Sequence, residues 1–309
     1  MKYLLPLFLV LFSSCASLKN FDKPVKPENE EGTFQSVRDR IKIFVYEKTP
    51  QIKANTSIYI ITGITGINHK NEKDIIDLLS AGKNRVVVIH PRGTGYSEGT
   101  RGDIDEFKDF IDDYIEIISN DLKKYPKDHK VVLYGHSMSC AIALNIAETI
   151  PEITGIILVN PPYKMKASKG MTPKFSEYIK YAGYMMFAPH NQIVNMAGDP
   201  KTIDNPDDRK EAEARGEDRL LVKYFSMYMM FKSKSTMDRM LEFAKKADYP
   251  LLLIYGMEDA LVDKTGCDEI FSVWFSKNKK YELIKNGSHG KKTVILSKNI
   301  ILNWIDELK

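Results

Sequence analysis

The sequence predicts an α/β protein: a mostly parallel central sheet of about eight strands, helices on both faces, and one helical insertion after the sixth strand. Three observations carry this. Short β-branched, apolar runs recur along the chain. Segments with helical apolar spacing fall between them. One long stretch, residues 161–248, breaks the alternation and holds ten of the thirteen methionines.

Two β-like runs, 33–37 and 41–48, open the fold around a turn at 38–40. Residues 57–62 (SIYIIT) and 85–90 (RVVVIH) read as strands buried on both faces, with a helix at 71–80 between them. A long amphipathic helix covers 103–125, with Phe107, Phe110, Ile111, Tyr114, Ile117 and Ile118 on one side. Strand 130–134 (KVVLY), helix 138–149 and strand 155–160 (GIILVN) follow. After the insertion come strand 250–255 (PLLLIY), helix 268–275, strand 281–284 and a closing helix at 293–308. The chain therefore divides into a core of 33–160 plus 249–309 and a cap of 161–248.

Composition narrows the class. With 43% hydrophobic and 28% charged residues, the chain has ordinary globular usage, which excludes disorder as its main state. Forty-five Lys and Arg against 41 Asp and Glu, evenly scattered, give no basic footprint for nucleic acid. The cysteines at 15, 140 and 267 form no CxxC, so neither a metal site nor a disulfide framework is expected.

The first residues read as an export segment. Lys2 precedes an apolar run at 3–12, which is the length of a signal core and too short for a spanning helix. Ser13-Ser14-Cys15 then resembles a bacterial lipoprotein box, with Phe12 where an aliphatic residue is usual. The reading is a signal peptide at 1–14, a lipid anchor on Cys15, a polar tether at 15–32, and a site on the extracytoplasmic side of a bacterial envelope membrane.

The chemistry falls at strand ends. Gly135-His136-Ser137-Met138-Ser139 links strand KVVLY to a helix, the setting of a nucleophile elbow that lifts a serine hydroxyl clear of the sheet. Ser139 stands where the pattern has Gly. The N–H of Met138, at the helix start, suits an oxyanion. A serine nucleophile needs a base, and the base an orienting acid. Only His190 and His289 follow the serine, and His289 lies in a small-residue loop after the last strand. Asp259 follows strand PLLLIY and leads for the acid, with Glu258 and Asp263 as competitors. The loop after SIYIIT, with Gly63 and Gly66, offers a second oxyanion N–H from Ile64 or Thr65.

These segments resemble the α/β-hydrolase superfamily, most closely its monoacylglycerol-lipase and lysophospholipase-like branch, also called serine aminopeptidase S33. The resemblance rests on Thr62-Gly63-Ile64, on residues 90–99 (HPRGTGYSEG), on Gly135-His136-Ser137-Met138, on Gly256, Asp259 and Val262, and on Gly287-Ser288-His289-Gly290. Thr62, His90, Thr94 and Ser139-Cys140 depart from the branch, which has His, Asp, His and Gly-Gly there. The resemblance implies an α/β-hydrolase fold and hydrolysis of carboxylic esters of lipid-like acyl chains by Ser137, His289 and Asp259, without metal or organic cofactor. Acyl transfer or amide cleavage by the same triad is the alternative, and a non-catalytic envelope protein a weaker one. The cap is expected to lie apolar side down over Ser137, with acyl chains against Met185, Met186, Tyr228 and Met229, and with the charged stretch 199–219 facing water. Oligomeric state has no signature in the sequence.

Cys15→Ser should release the protein from membranes or block its processing, since the two chains of a diacylglyceryl anchor are what hold such a protein. Membrane fractionation beside wild type checks this; an unchanged distribution and unchanged migration would remove the anchor.

Overall fold

The computed structural model describes residues 25–27, 31–51, 54–81, 83–166, 175–196 and 200–308. Residues 1–14, read from sequence as a signal segment, and Cys15 lie outside these residues.

The sheet has eight strands. Strands β1 (Thr33–Ser36) and β2 (Lys42–Lys48) form an antiparallel hairpin at one edge. Then come β3 (Thr56–Ile61), β4 (Arg85–His90), β5 (Lys130–His136) and β6 (Gly155–Val159). The spatial order is β1-β2-β4-β3-β5-β6, followed by the strands Leu251–Gly256 and Lys279–Ile284. From β4 onward every pairing is parallel.

The period of two explains why the inner strands are apolar throughout. On β3, Tyr59 and Ile61 enter one core cluster and Ile58 and Ile60 the other. β4, β5 and β6 alternate in the same way. One cluster is closed by α2 (Phe107–Leu122) and α3 (Ser139–Ala147), the other by α1 (Lys73–Ser80) and the C-terminal helices.

The insertion holds α4 (Phe175–Phe187), β7 (Gln192–Asn195), α5 (Pro206–Glu217), β8 (Tyr224–Ser226), α6 (Met227–Asp238) and α7 (Met240–Lys246). The sequence offers no strand there, yet β7 and β8 pair antiparallel. At four and three residues, broken by a bulge, they are too short to show a period. Met240, Phe243 and Ala244 of α7 sit in the main core beside Ile270. The chain closes with β9 (Leu251–Gly256), α8 (Lys264–Val273), β10 (Lys279–Ile284), α9 (Lys291–Leu296) and α10 (Lys298–Glu307). The sequence reads the last two as one helix. Ser297 divides them: its buried hydroxyl donates to the Thr293 carbonyl at 2.7 Å, a local bond that competes with helix propagation.

The HPRGTGYSEG loop is held by an ion cluster. Arg92 donates to both carboxylate oxygens of Asp113 on α2, at 2.7 and 2.6 Å, and to Asp39 in the β1–β2 turn at 2.7 Å. His90 replaces the branch's Asp without a charge. Its Nδ1 accepts the Tyr96 N–H at 3.2 Å, so Nε2 carries the proton and donates to His69 Nδ1 at 3.2 Å.

Arg92→Ala should cost about 3–5 kcal/mol, because it strands the buried Asp113 carboxylate. Arg92→Lys should cost part of that, since an ammonium cannot make the paired bond. Urea unfolding measures both; a loss under about 1 kcal/mol for Arg92→Ala would show the cluster to be dispensable.

Candidate active site

The turn from β5 into α3 forces the geometry. Ser137 has φ +54°, a left-handed backbone that a serine adopts only under constraint. Its N–H donates to the Val159 carbonyl at 2.9 Å, and its carbonyl accepts from Cys140 at 2.9 Å. Ser139, in place of the usual Gly, stitches the turn: its hydroxyl bonds both the N–H and the carbonyl of His136 at 2.8 Å. Gly135 is obligatory, because a Cβ there would lie 2.9 Å from Cys140 Cα.

Three side chains meet at this turn. His289 Nε2 lies 3.0 Å from Ser137 Oγ, and His289 Nδ1 lies 2.8 Å from Asp259 Oδ2. The Asp259 carboxylate is fully buried, so Nδ1 carries the proton that it accepts and the Nε2 lone pair faces the serine. Asp259 Oδ1 accepts the N–H groups of Leu261 and Val262 at 2.7 and 2.8 Å. Burial alone would raise this carboxyl, but the bonds from His289 and the two amides outweigh it and hold it below its ordinary range. The competitors are engaged elsewhere. Asp263 caps α8 through Thr265, Glu258 is exposed, and His190 pairs with Asp103 at 3.1 Å.

Two further residues fix the loop that carries His289. Asn160, at the end of β6 with φ +48° and fully buried, donates to the carbonyls of Ser288 and His289 at 3.1 and 3.3 Å. Its Oδ1 accepts the Gly256 N–H at 2.8 Å, so one amide ties the acid strand to the histidine loop. His136 Nε2 reaches the His289 carbonyl at 2.6 Å. Sequence reasoning missed both. The available signal was an Asn directly before Pro161-Pro162, since Asn tolerates the left-handed region.

The loop after β3 runs against the elbow. Gly63 and Gly66 both have φ +70°, and a Cβ on Gly63 would lie 3.6 Å from Ser139 Cβ. Thr62, where the branch has His, bonds the Ile89 carbonyl at 3.1 Å and contacts the Tyr114 hydroxyl. The N–H groups of Ile64 and Met138 donate to no protein acceptor among the described residues.

A second serine–histidine contact exists, Ser57 Oγ to His129 Nε2 at 2.8 Å. It lies at the opposite, N-terminal edge of the parallel strands. Ser57 is fully buried within β3, with no turn to present it, and it accepts from Arg85 at 3.2 Å. It belongs to the ion network of Arg85, Asp121 and Glu47.

The cap departs from expectation. Met229 is buried in the main core at 3% exposure, with Tyr228 half-buried against it, whereas Met186 is 74% exposed. Ile179, Phe187 and Phe231 are also exposed, so the apolar side of the cap is divided between core and solvent. Met185 is half-buried. The charged stretch is not wholly in water either: Asp208 and Glu211 of α5 bond the loop around His289. Among the described residues no group of three or more His, Cys, Asp or Glu could hold a metal ion, and no helix is long and apolar enough to cross a membrane.

The chain is similar to known proteins. The family model for serine aminopeptidase S33 matches residues 53–291. Phospholipase YtpA of Bacillus subtilis is 28% identical over 236 residues, covering 74% of this chain and 86% of that protein. Monoglyceride lipase of Mus musculus is 23% identical over 72% of this chain and 71% of that one. A soluble variant of monoglyceride lipase from Saccharomyces cerevisiae, solved with a substrate analogue, has the same fold, with a TM-score of 0.76 at 20% identity over 93% of this chain and 97% of that chain.

Two imidazoles, buried His90 and half-buried His136, set a pH dependence. Burial, then His69, holds His90 well below the usual histidine range, and burial, then His289, pushes His136 down to about 4. Unfolded, each titrates near about 6.5, so the unfolded chain binds more protons below that pH. Stability is then full above about 6.5 and lost as pH falls below it, for His136 toward about 4. Buried Glu72, whose carboxyl burial pushes up, acts in the opposite sense, so the difference between wild type and His136→Gln is the informative quantity. Denaturant unfolding should show a shallower acid loss in the variant, by up to about 1.4 kcal/mol per pH unit. Equal slopes would contradict a neutral His136.

Proposed function

The chain belongs to the serine aminopeptidase S33 family of α/β-hydrolases, and on that premise we propose that it hydrolyses carboxylic esters of lipid-like acyl chains through Ser137, His289 and Asp259. The observation that carries the proposal is the pair of contacts at His289, 3.0 Å to Ser137 Oγ and 2.8 Å to Asp259 Oδ2.

Ser137 Oγ attacks the acyl carbonyl carbon while its proton passes to His289 Nε2. The carbonyl oxygen becomes an oxyanion, held by the N–H groups of Met138 and Ile64, each such donor being worth about 100-fold to 1000-fold in rate. His289 then gives its proton to the departing alcohol, leaving an acyl-serine. Water gives a proton to His289 as it attacks the acyl-serine, and the intermediate collapses as His289 returns that proton to Ser137 Oγ, releasing the acid and free Ser137. Asp259 remains a carboxylate throughout, consistent with the bonds that hold its carboxyl low. It keeps the imidazole in the tautomer that accepts from serine.

The lipid character of the acyl group draws support from the phospholipase and monoglyceride lipase among the relatives, and from the exposed Ile179, Met186, Phe187 and Phe231 on the cap. The proposed anchor at Cys15 would hold the site beside such substrates.

A fluorophosphonate probe should label wild type and leave Ser137→Ala unlabelled, with esterase activity falling by several orders of magnitude. Across p-nitrophenyl esters, kcat/KM should climb from acetyl to octanoyl, at most about fourfold per methylene. Labelling that persists in Ser137→Ala would move the nucleophile, and a rate that peaks at acetyl would replace lipid esters with small ones.

A further inference from the structure

The sequence places the charged stretch 199–219 of the cap in water, yet two of its acidic residues end on the backbone that carries the catalytic histidine. Asp208 Oδ1 accepts the Ser288 hydroxyl at 2.5 Å and the Gly290 N–H at 3.1 Å. Glu211 Oε2 accepts the Lys291 N–H at 3.1 Å. The contact is tight on both sides. A Cβ on Gly290 would lie 2.3 Å from Glu211 Oε2 and 2.8 Å from Asp208 Oδ1, so glycine is the residue that lets the carboxylates reach the chain. Ser288 is fully buried.

We propose that α5 of the cap is the strut that sets the His289 loop: Asp208, with Glu211 beside it, is a positioning residue whose bonds to Ser288, Gly290 and Lys291 make the seating of the cap and the assembly of the triad a single event.

On the core side, Asp259 holds the His289 ring, and the backbone of Ser288 and His289 is held through its carbonyls: Asn160 and Thr293 bond that of Ser288, Asn160 and His136 that of His289. Carbonyl bonds on one side leave the loop free to tilt about that line. The cap bonds engage its other groups, the Ser288 hydroxyl and the two N–H groups that open α9. Those N–H groups lack helical partners of their own, and a carboxylate is the acceptor they favour. The other end of the strut is fixed as well. Asp218, which follows α5, accepts from Asn68 and Asn71 at 3.0 and 2.7 Å, and Val222 donates to the Thr65 carbonyl in the oxyanion loop at 3.0 Å. A cap lifted at α5 would therefore release the base and disturb the oxyanion loop together, which switches the site off whenever it is open.

This inference rests on the triad proposed above, so its test separates the two. In the full chain, Asp208→Ala should lower kcat and the rate of fluorophosphonate labelling about 10-fold to 100-fold, the cost of a misplaced catalytic group, with KM within about twofold and an unchanged melting temperature. Asp208→Asn keeps an oxygen that accepts both bonds, and should recover to within about threefold of wild type. Lys210→Ala, on the exposed side of α5, should change nothing. Ser288→Ala removes the same bond from the other partner, and should slow labelling without adding to Asp208→Ala in the double variant; it also serves if Asp208→Ala fails to fold. Labelling of Asp208→Ala at the wild-type rate would overturn the strut while leaving the triad intact. So would Asp208→Asn as slow as Asp208→Ala. No labelling of wild type would instead overturn the triad, and the strut with it.

Discussion

Everything at the site depends on one backbone conformation, the left-handed turn at Ser137. For a non-glycine residue it costs roughly 1–3 kcal/mol, and it persists only where the surroundings leave no alternative. Here β5 is locked between β3 and β6 up to Gly135 and His136, and α3 begins within two residues. The chain must reverse in that space. Gly135 gives room, Val159 takes the Ser137 N–H, and Ser139 closes a ring with His136. The hydroxyl ring explains why serine serves where the related pattern has glycine: it replaces conformational freedom with a bond.

Parallel strand order does the rest. In a parallel sheet the loops that follow the strands share one edge. The loop after β3 brings the Ile64 N–H, the elbow after β5 brings Ser137, and the loops after β9 and β10 bring Asp259 and His289. No two of the three side chains are neighbours in sequence, yet each sits one to five residues past a strand end in the same sheet. Asn160 exploits this: it ends β6, between the strands of the serine and the acid, and its one amide bonds the acid strand and the histidine loop.

What the sequence discloses follows from which forces are local. The apolar strands were legible because burial on both faces leaves a continuous β-branched run, and the elbow because its turn needs small residues at fixed spacing. The sequence favours Asp259 over Glu258 and Asp263 by its place past the strand; in the structure the Asp259 carboxylate accepts the N–H groups of Leu261 and Val262. Asn160 and His136 escaped because they act through backbone carbonyls far along the chain, which leave no local pattern. The strands of the cap escaped because three or four residues cannot show a period. Met229 and Met186 were read alike from composition, but one is core and the other surface, a difference made only by where α4 and α6 pack.

The charged helix is the most instructive misreading, because the rule behind it is sound. Acidic residues without apolar spacing do belong in water, and none of α5 is fully buried. The rule omits what a carboxylate can do at a partly wet boundary. A core helix that begins at Lys291 must present unpaired N–H groups, and the short loop before it has no side chain free to take them all. An acidic helix laid across that end supplies the acceptors without burying its charge. The same property that makes α5 soluble thus makes it adhesive beside the histidine. Hydration of the free carboxylates opposes the bond at every moment, so the contact is held by several weak terms and can be broken as a unit. The strut proposed above asks for such a contact, firm enough to set geometry and weak enough to release.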